Sequence, residues 1–537
     1  MMTPETPREA LLLEQIAALR EQNETLKHQI EQLMQDKRVL QLKVDAMARK
    51  LFGKSSEKLD PAQLQMVFDA LEDEAKEPAA AAGDDTAPNA GNGEQTSPPP
   101  SATKRKKRTL QDIIRGLPVT EVIVDPEEVK ADPDAWACIG AEETNLIDYK
   151  PGQFCCQKIV RRKYVRKDAR HLPPITAPLL TLQDRCIATP QLLAHTITQH
   201  FELHLPYYRI EDIYERAGVP LYRQTLCGWA GMCADAVKPL MAATKSEVFA
   251  DGYVQCDETP VKYQDPQRKG SCATGYLWVF YNPLRNICYF EWRTGRGAAC
   301  LQDIVPADFK GIIQCDGHSA YNAFIKLPWR AGVIILAGCM AHARRKFFEA
   351  KDEGEDAQWV LAQMQQLYRI EERLRQARAG PDEVLSTRQQ HSVPIMERIK
   401  ARLDHLQARQ KHRPQTLTGQ AISYTLNQWE KLCVFLRDGR VQIDNNLVEN
   451  AIRPSAIGKK NWLFMGDPNS GERAATFYTL IGNCHREGID ACAYLTDVFK
   501  RLPTETNKSV HRLTPKAWAA EQAAVRQALA QSAVIAL

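Results

Sequence analysis

The sequence predicts a multidomain α/β protein, and three patterns carry that prediction. Leucine recurs every seven residues at the amino terminus, short apolar strands alternate with helices in the middle, and a polar helical stretch interrupts that alternation before its last element. A chain of 537 residues has room for several domains. The expected divisions are a coiled coil at 1–50, a short helical segment at 51–75 and a disordered linker with a basic run at 76–108. A small β-rich module at 109–172 and a helical domain at 173–245 follow. An α/β core then occupies 246–350 and 441–490, split by an all-helical insertion at 351–440, and a helical tail closes the chain at 491–537.

Leu12, Leu19, Leu26, Leu33, Leu40 and Met47 are spaced by seven, with Ile16, Asn23, Ile30, Lys37 and Val44 at the companion positions. β-branched residues at one seam position and Leu at the other favour a parallel dimer, and a single seam Asn fixes register at some cost in stability. The expected partner is a second copy of the chain; the alternative is a helix packed on its own chain. A basic-region zipper would need a basic helix upstream, whereas the first eleven residues set Glu5 and Glu9 against Arg8. Residues 77–103, rich in Ala, Pro, Gly, Asp and Ser, read as a disordered tether. The tether ends in Lys104, Arg105, Lys106, Lys107 and Arg108, a run suited to salt-sensitive DNA contact or to a solubilising flank.

Residues 189–240 read as helices, with a turn at 217–220. Gln224 or Thr225 would begin the recognition helix of a helix-turn-helix; a plain supporting bundle fits the pattern equally.

The middle of the chain holds the most informative residues. Asp257 lies within an alternating run at 253–260, and Asp316 ends an apolar run at 311–317 stopped by Gly317. Two aromatic and β-branched runs at 276–282 and 286–293 make an antiparallel meander with the first. A helix at 295–305, the Asp316 strand, a helix at 319–326, a strand at 333–339 and a helix at 339–350 follow in turn. That succession is the order of a ribonuclease H-like core, in which the first and fourth strands are neighbours, so the two aspartates should converge. Glu449 sits where Leu447, Val448, Ala451 and Ile452 recur at helical spacing, with Pro454 expected to end the helix. The interval from Asp316 to Glu449 is too long for a loop, and its glycine-poor, polar pattern predicts inserted helices that either stay solvated or grip DNA or a partner.

Taken together, the runs at 51–60, 204–226, 253–260, 314–321, 339–347 and 444–454 resemble the large catalytic subunit of the insertion sequence 66 family of transposases, over nearly the whole chain. The resemblance implies a DDE transposase whose triad falls on Asp257, Asp316 and Glu449. Three carboxylates suit two Mg²⁺ ions, with Mn²⁺ as a substitute, because hard oxygen ligands select hard cations and paired ions stabilise both the attacking and leaving oxygens. The implied reactions are hydrolysis at transposon ends and attack of the exposed 3′ hydroxyl on target DNA. The implied partners are transposon-end and target DNA and accessory proteins of the same element. The family's small zinc module normally has two cysteine pairs. Here Cys138 stands alone, Arg166 and Ala169 occupy the second pair's positions, and Cys155 and Cys156 are adjacent, so the module is expected without structural zinc. A nuclease or resolvase that cuts without joining, and an inactive DNA-binding descendant, are the other readings.

Cys339 and His342, three apart at a strand-to-helix junction, lack visible zinc partners in the sequence and are expected to support structure or contact a DNA phosphate, with Arg344 and Arg345 following as candidate DNA contacts. Arg453, Lys459, Lys460 and Trp462 combine cations with an aromatic ring, a composition suited to phosphates and a splayed base, or to a solvated basic face. Net charge is only +4, so any DNA surface must be built from local patches. The 15 cysteines form no paired framework, and no signal peptide or membrane-length apolar run is present, which predicts a reducing cytoplasm.

Overall fold

The computed structural model describes residues 117–535 together with 111 and 114, except 151, 169–170, 184–185 and 268–270. The leucine repeat, the linker and the basic run at 104–108 lie outside the described residues.

The first sheet runs β1 (Val119–Val124), β3 (Gln153–Arg166), β2 (Trp136–Lys150), with β4 (Ile175–Thr176) also on β3. Its long antiparallel hairpin pairs Cys138 with Tyr164 at one end and Asp148 with Cys155 at the other. Nine residues of extended chain separate those ends by about 30 Å. Cys138 therefore cannot meet Cys155 or Cys156. The buried Cys155 and Cys156 thiols instead donate to the side chains of Asp148 and Asn145 on β2.

Four helices follow: α1 (Pro190–Phe201), α2 (Tyr207–Arg216), α3 (Arg223–Ala236) and α4 (Lys238–Phe249). Thr189 starts α1 by accepting the Leu192 N–H, with Pro190 at the first helical position where no donor is missed. These helices share one apolar core with the central sheet through residues such as Leu192, Leu226, Leu240 and Val248.

The central sheet has the order β7 (Ile287–Arg293), β6 (Cys272–Asn282), β5 (Tyr253–Gln264), β8 (Gly311–Gln314), β9 (Ile334–Ala337). β5, β6 and β7 are the expected antiparallel meander, and β5, β8 and β9 are parallel, joined by α5 (Ala298–Ile304) and α6 (Ser319–Ile325). Strand alternation sends successive side chains to opposite cores. Val254, Ile313 and Leu336 join the core under α4 and α5, while Tyr253, Ile312 and Ala337 join a second core with α7 (Met340–Glu349) and the insertion.

That insertion is all-helical: α8 (Glu355–Gln376), α9 (Pro381–Thr387), α10 (Val393–Ala408), α11 (Leu417–Asn427) and α12 (Trp429–Leu432), packed through Val360, Leu367, Ile399 and Leu403. Between α9 and α10 a π-helical stretch, Arg388–Ser392, points Arg388 inward. The chain then returns as α13 (Asn446–Trp462), α14 (Asn469–Arg486), α15 (Ala491–Arg501) and α16 (Pro515–Ile535). Among the described residues no helix is long and apolar enough to cross a membrane.

Pro454 does not end the Glu449 helix, contrary to the sequence expectation; α13 continues to Trp462. A proline inside a helix forfeits a bond to the carbonyl four residues back. Here that residue, Asn450, is exposed, so water can serve its carbonyl, while buried Ala451, Ile452, Ser455 and Gly458 hold the helix on both sides of the break.

β7 is an edge strand, and α14 covers it. Thr479 accepts the Phe290 N–H at 2.8 Å, and Asn483 accepts from Cys288 N and donates to Cys288 O, each at 2.8 Å. Two side chains thus satisfy backbone groups that would otherwise invite another strand. Trp292 is clasped between sheet and helix: a Cβ added at Gly275 or Gly471 would lie 2.3 or 2.1 Å from its ring. Gly471→Ala should therefore lower stability by about 1–3 kcal/mol or more through overpacking. Thermal melting checks this, and an unchanged midpoint would mean that Trp292 repacks freely.

Candidate active site

The site is built where β5 and β8 run side by side. Their parallel register sets Gln255 opposite Gln314. In each chain a Cys and then an Asp follow, so Asp257 and Asp316 stand at the same offset on neighbouring chains about 4.8 Å apart. β8 stops at Gln314, and Asp316 turns the chain by accepting the His318 N–H at 2.9 Å. β5 continues, and Asp257 accepts the Glu258 N–H at 2.9 Å.

Glu449 is delivered by α13 through the same two glutamines. Gln255 donates to Gln314 Oε1 at 3.0 Å and to Asp444 O at 2.9 Å, and accepts the Val448 N–H at 3.2 Å. Tyr253 donates to Gln314 Oε1 at 2.6 Å and accepts from Gln442 N at 3.0 Å, and Gln314 donates to Gly338 O and Gln442 O. Tyr253, Gln255 and Gln314 are fully buried. A satisfied buried network of this kind rigidifies what it joins. It joins both aspartate strands to the start of the Glu449 helix.

Electrostatics mark the centre of the cluster. Burial pushes the Asp257 carboxyl up to about 8, aided by the charge of Glu258 and then of Glu449 and Asp316, against the opposing Glu258 N–H. Glu449 Oε1 is buried without a hydrogen-bond partner and lies 3.7 Å from His342 Nδ1, which is also unpartnered. An acid held neutral by burial and neighbouring carboxylates, and an orphaned carboxylate oxygen, fit a site for hard divalent cations.

Cations frame the acids. Arg296 donates to the buried Glu258 at 2.6 Å and feels the charge of Asp316, while Tyr321 donates to the other Glu258 oxygen at 2.6 Å. Lys431, from the insertion, donates to Asn322 and Gln428; burial lowers its pKa, against the charges of Cys315 and Asp316. Tyr424 packs against Gly317. The insertion therefore borders the site.

The other sequence candidates divide. Arg453 and Lys460 are exposed on α13, and Arg345 is exposed on α7 beside a half-buried Arg344. Lys459 is instead tied to β5, donating to Thr259 Oγ1 and Pro260 O. Trp462 packs partly against the core and faces Gly458, with Leu463 and Phe464 exposed beyond it. Cys339 and His342 have a neighbour that sequence spacing concealed. Glu449 approaches them from α13, and the three ligand atoms lie within 4.8 Å of one another.

Gln255, Gln314, Glu258, Arg296 and Lys431 escape the sequence reading. A signal existed for the glutamines, since Gln-Cys-Asp occurs on both strands. Nothing in the spacing of Arg296 or Lys431 points to the site, because only tertiary packing brings them there.

A family model described as "Transposase IS66 family" matches residues 185–473. A second, described as "Transposase C of IS166 homeodomain", matches residues 39–122. Similar proteins include three from Sinorhizobium fredii, each described as uncharacterized. Protein y4jD is 29% identical over 533 residues, covering 93% of this chain and 98% of that protein. Protein y4hP is 27% identical over 525 residues, covering 90% and 89%. Protein y4qI is 30% identical over 415 residues, covering 74% and 75%.

Proposed function

Because the chain belongs to the IS66 transposase family, we propose that it cleaves transposon ends and joins the resulting 3′ hydroxyl to target DNA through Asp257, Asp316 and Glu449. The central sheet with α13 is then a ribonuclease H-like core. One observation carries the reading: the Gln255–Gln314 network fixes two in-register aspartates and the helix bearing a third carboxylate. Asp257, Asp316 and Glu449, whose charges act on one another, would together hold divalent ions such as Mg²⁺ or Mn²⁺. Bound there, the ions supply Lewis-acid stabilisation of the attacking and leaving oxygens in an in-line displacement. Arg296 and Lys431, both within the field of Asp316, would help hold DNA phosphates beside the scissile bond, and no covalent protein intermediate is needed.

DNA outside the cleavage point would be held by local basic patches: exposed Arg345 on α7, Arg453 and Lys460 on α13, and Lys104 to Arg108 on the tether. On α3, Arg223 and Gln224 are exposed at an open groove shared with Arg473 of α14, which supports a DNA contact there. The leucine repeat would pair two protomers so that both ends are held before cutting. The peptide 1–52 should sediment as a dimer at tens of micromolar; a monomer there would assign the repeat to intramolecular packing.

The raised Asp257 pKa makes the metal reading testable without DNA. Metal favours the carboxylate, so binding at pH 7 must expel a proton, and affinity should rise with pH to about 8 and level off above it. Calorimetric titration of Mn²⁺ in buffers of different ionisation enthalpy should show about one proton released per chain, lost in Asp257→Asn. Equal release by the two proteins would contradict a metal-displaced proton on Asp257.

A further inference from the structure

We propose that Cys339, His342 and Glu449 form a second cation site, selective for a thiophilic divalent ion such as Zn²⁺, at the edge of the acidic cluster. Their ligand atoms lie within 4.8 Å of one another, a spread that small side-chain rotations close to tetrahedral zinc distances. Two of the three carry an unmet need. His342 Nδ1 and Glu449 Oε1 are both buried, both without a hydrogen-bond partner, and 3.7 Å apart. Next to them Asn445, the residue before α13, is fully buried with neither its side-chain oxygen nor its nitrogen partnered. A histidine nitrogen and a carboxylate oxygen left unpaired beside one thiol are unusual in a packed core, where nearly every buried polar group finds a partner. A cation would engage the His and Glu atoms at once and leave the Asn445 oxygen, or a water, for the fourth position.

The donor set selects the ion. A thiolate, a neutral imidazole and a carboxylate carry two negative charges together, which one divalent ion neutralises, and sulfur excludes Mg²⁺ in favour of Zn²⁺ or Co²⁺. Cys339 stands at the N-terminus of α7, where thiolates are favoured. Burial pushes its thiol up to about 12, while the Asn445 and His342 backbone N–H groups pull it down, so the free thiol stays protonated. An incoming ion displaces that proton to solvent and takes the lone pair it leaves.

The site is independent of the catalytic reading; only its consequence rests on it. Glu449 belongs to both clusters, so a thiophilic ion here would draw it away from the Mg²⁺ position and connect cleavage to zinc supply.

The test is a Co²⁺ titration of the metal-free full-length chain, followed by optical absorption without DNA. Expected are tetrahedral visible bands and a near-ultraviolet sulfur-to-cobalt charge-transfer band saturating at one equivalent. Cys339→Ser and His342→Ala should each lose the band or weaken binding by more than about a hundredfold, beyond the loss seen when only outer-shell partners are removed. Cys138→Ser, at an exposed thiol, and Asp257→Asn, an acid outside this cluster, should keep it. No charge-transfer band at one equivalent, or one retained by either Cys339→Ser or His342→Ala, overturns the proposal. Should circular dichroism show Cys339→Ser unfolded, His342→Ala, at a half-buried position, decides alone. Failure of DNA cleavage assays would leave this spectrum untouched, so the two readings fail separately.

Discussion

Asp257→Asn, Asp316→Asn and Glu449→Gln are each expected to reduce Mg²⁺-dependent cleavage of the element's ends by at least about a thousandfold, because groups that act as one unit fail together. End binding should change little, since the exposed cations Arg345, Arg453 and Lys460 are untouched. Each replacement preserves volume and removes one metal-ligating oxygen. Asp257→Asn also carries a control for misfolding. A carboxyl with its folded pKa raised to about 8 binds more protons folded than unfolded, so the metal-free protein loses stability as pH climbs from about 4 towards 8. Asparagine cannot ionise, and the variant should melt higher than wild type above pH 8. Substantial cutting by any one variant, measured on end-labelled DNA, would remove that residue from the triad.

The second large effect lies away from the acids. Arg388 is buried and donates to both Glu371 oxygens at 2.7–2.8 Å, and to the carbonyls of Phe435 and Val441 at 2.8 Å. It therefore clasps the return strap of the insertion just before Asp444 and the Glu449 helix. Arg388→Ala leaves Glu371 buried and alone, which should cost about 3–5 kcal/mol. Cleavage should fall with stability, because the strap sets where α13 begins. Lysine is a poor substitute, lacking the planar fork that reaches carboxylate and carbonyls together. Arg388→Met combined with Glu371→Leu should recover most of the stability, since no charge is stranded, but not the strap's hydrogen bonds. Melting and cleavage measured in parallel separate the two roles; a single variant with unchanged stability would mean that water enters and solvates Glu371.

Much of this arrangement was legible in the sequence, for identifiable reasons. The alternation around Asp257 and the apolar run before Asp316 are local signals, and neighbouring strands convert their shared offset into adjacency. The insertion was legible because helices of its length show their period without help from the rest of the fold. Pro454 misled because breaker logic weighs one lost hydrogen bond, whereas α13 is held by buried side chains on both sides of the break. The link from Cys339 and His342 to Glu449 was hidden because it joins residues more than a hundred positions apart on different helices. Arg296 and Arg388 were hidden similarly: each looks like a surface cation until packing supplies Glu258 or Glu371.

Under the proposed function, one metal-dependent carboxylate site both cuts and joins DNA. The direct measurement incubates the full-length protein and Mg²⁺ with DNA carrying the element's terminal repeats and a supercoiled target, then sequences the junctions. Expected are transposon 3′ ends joined to target 5′ phosphates, with staggered insertion on the two strands, all abolished by Glu449→Gln. Ends that are cut but never joined would contradict it and point to a nuclease on the same fold. Joining that survives in Glu449→Gln would contradict the site itself.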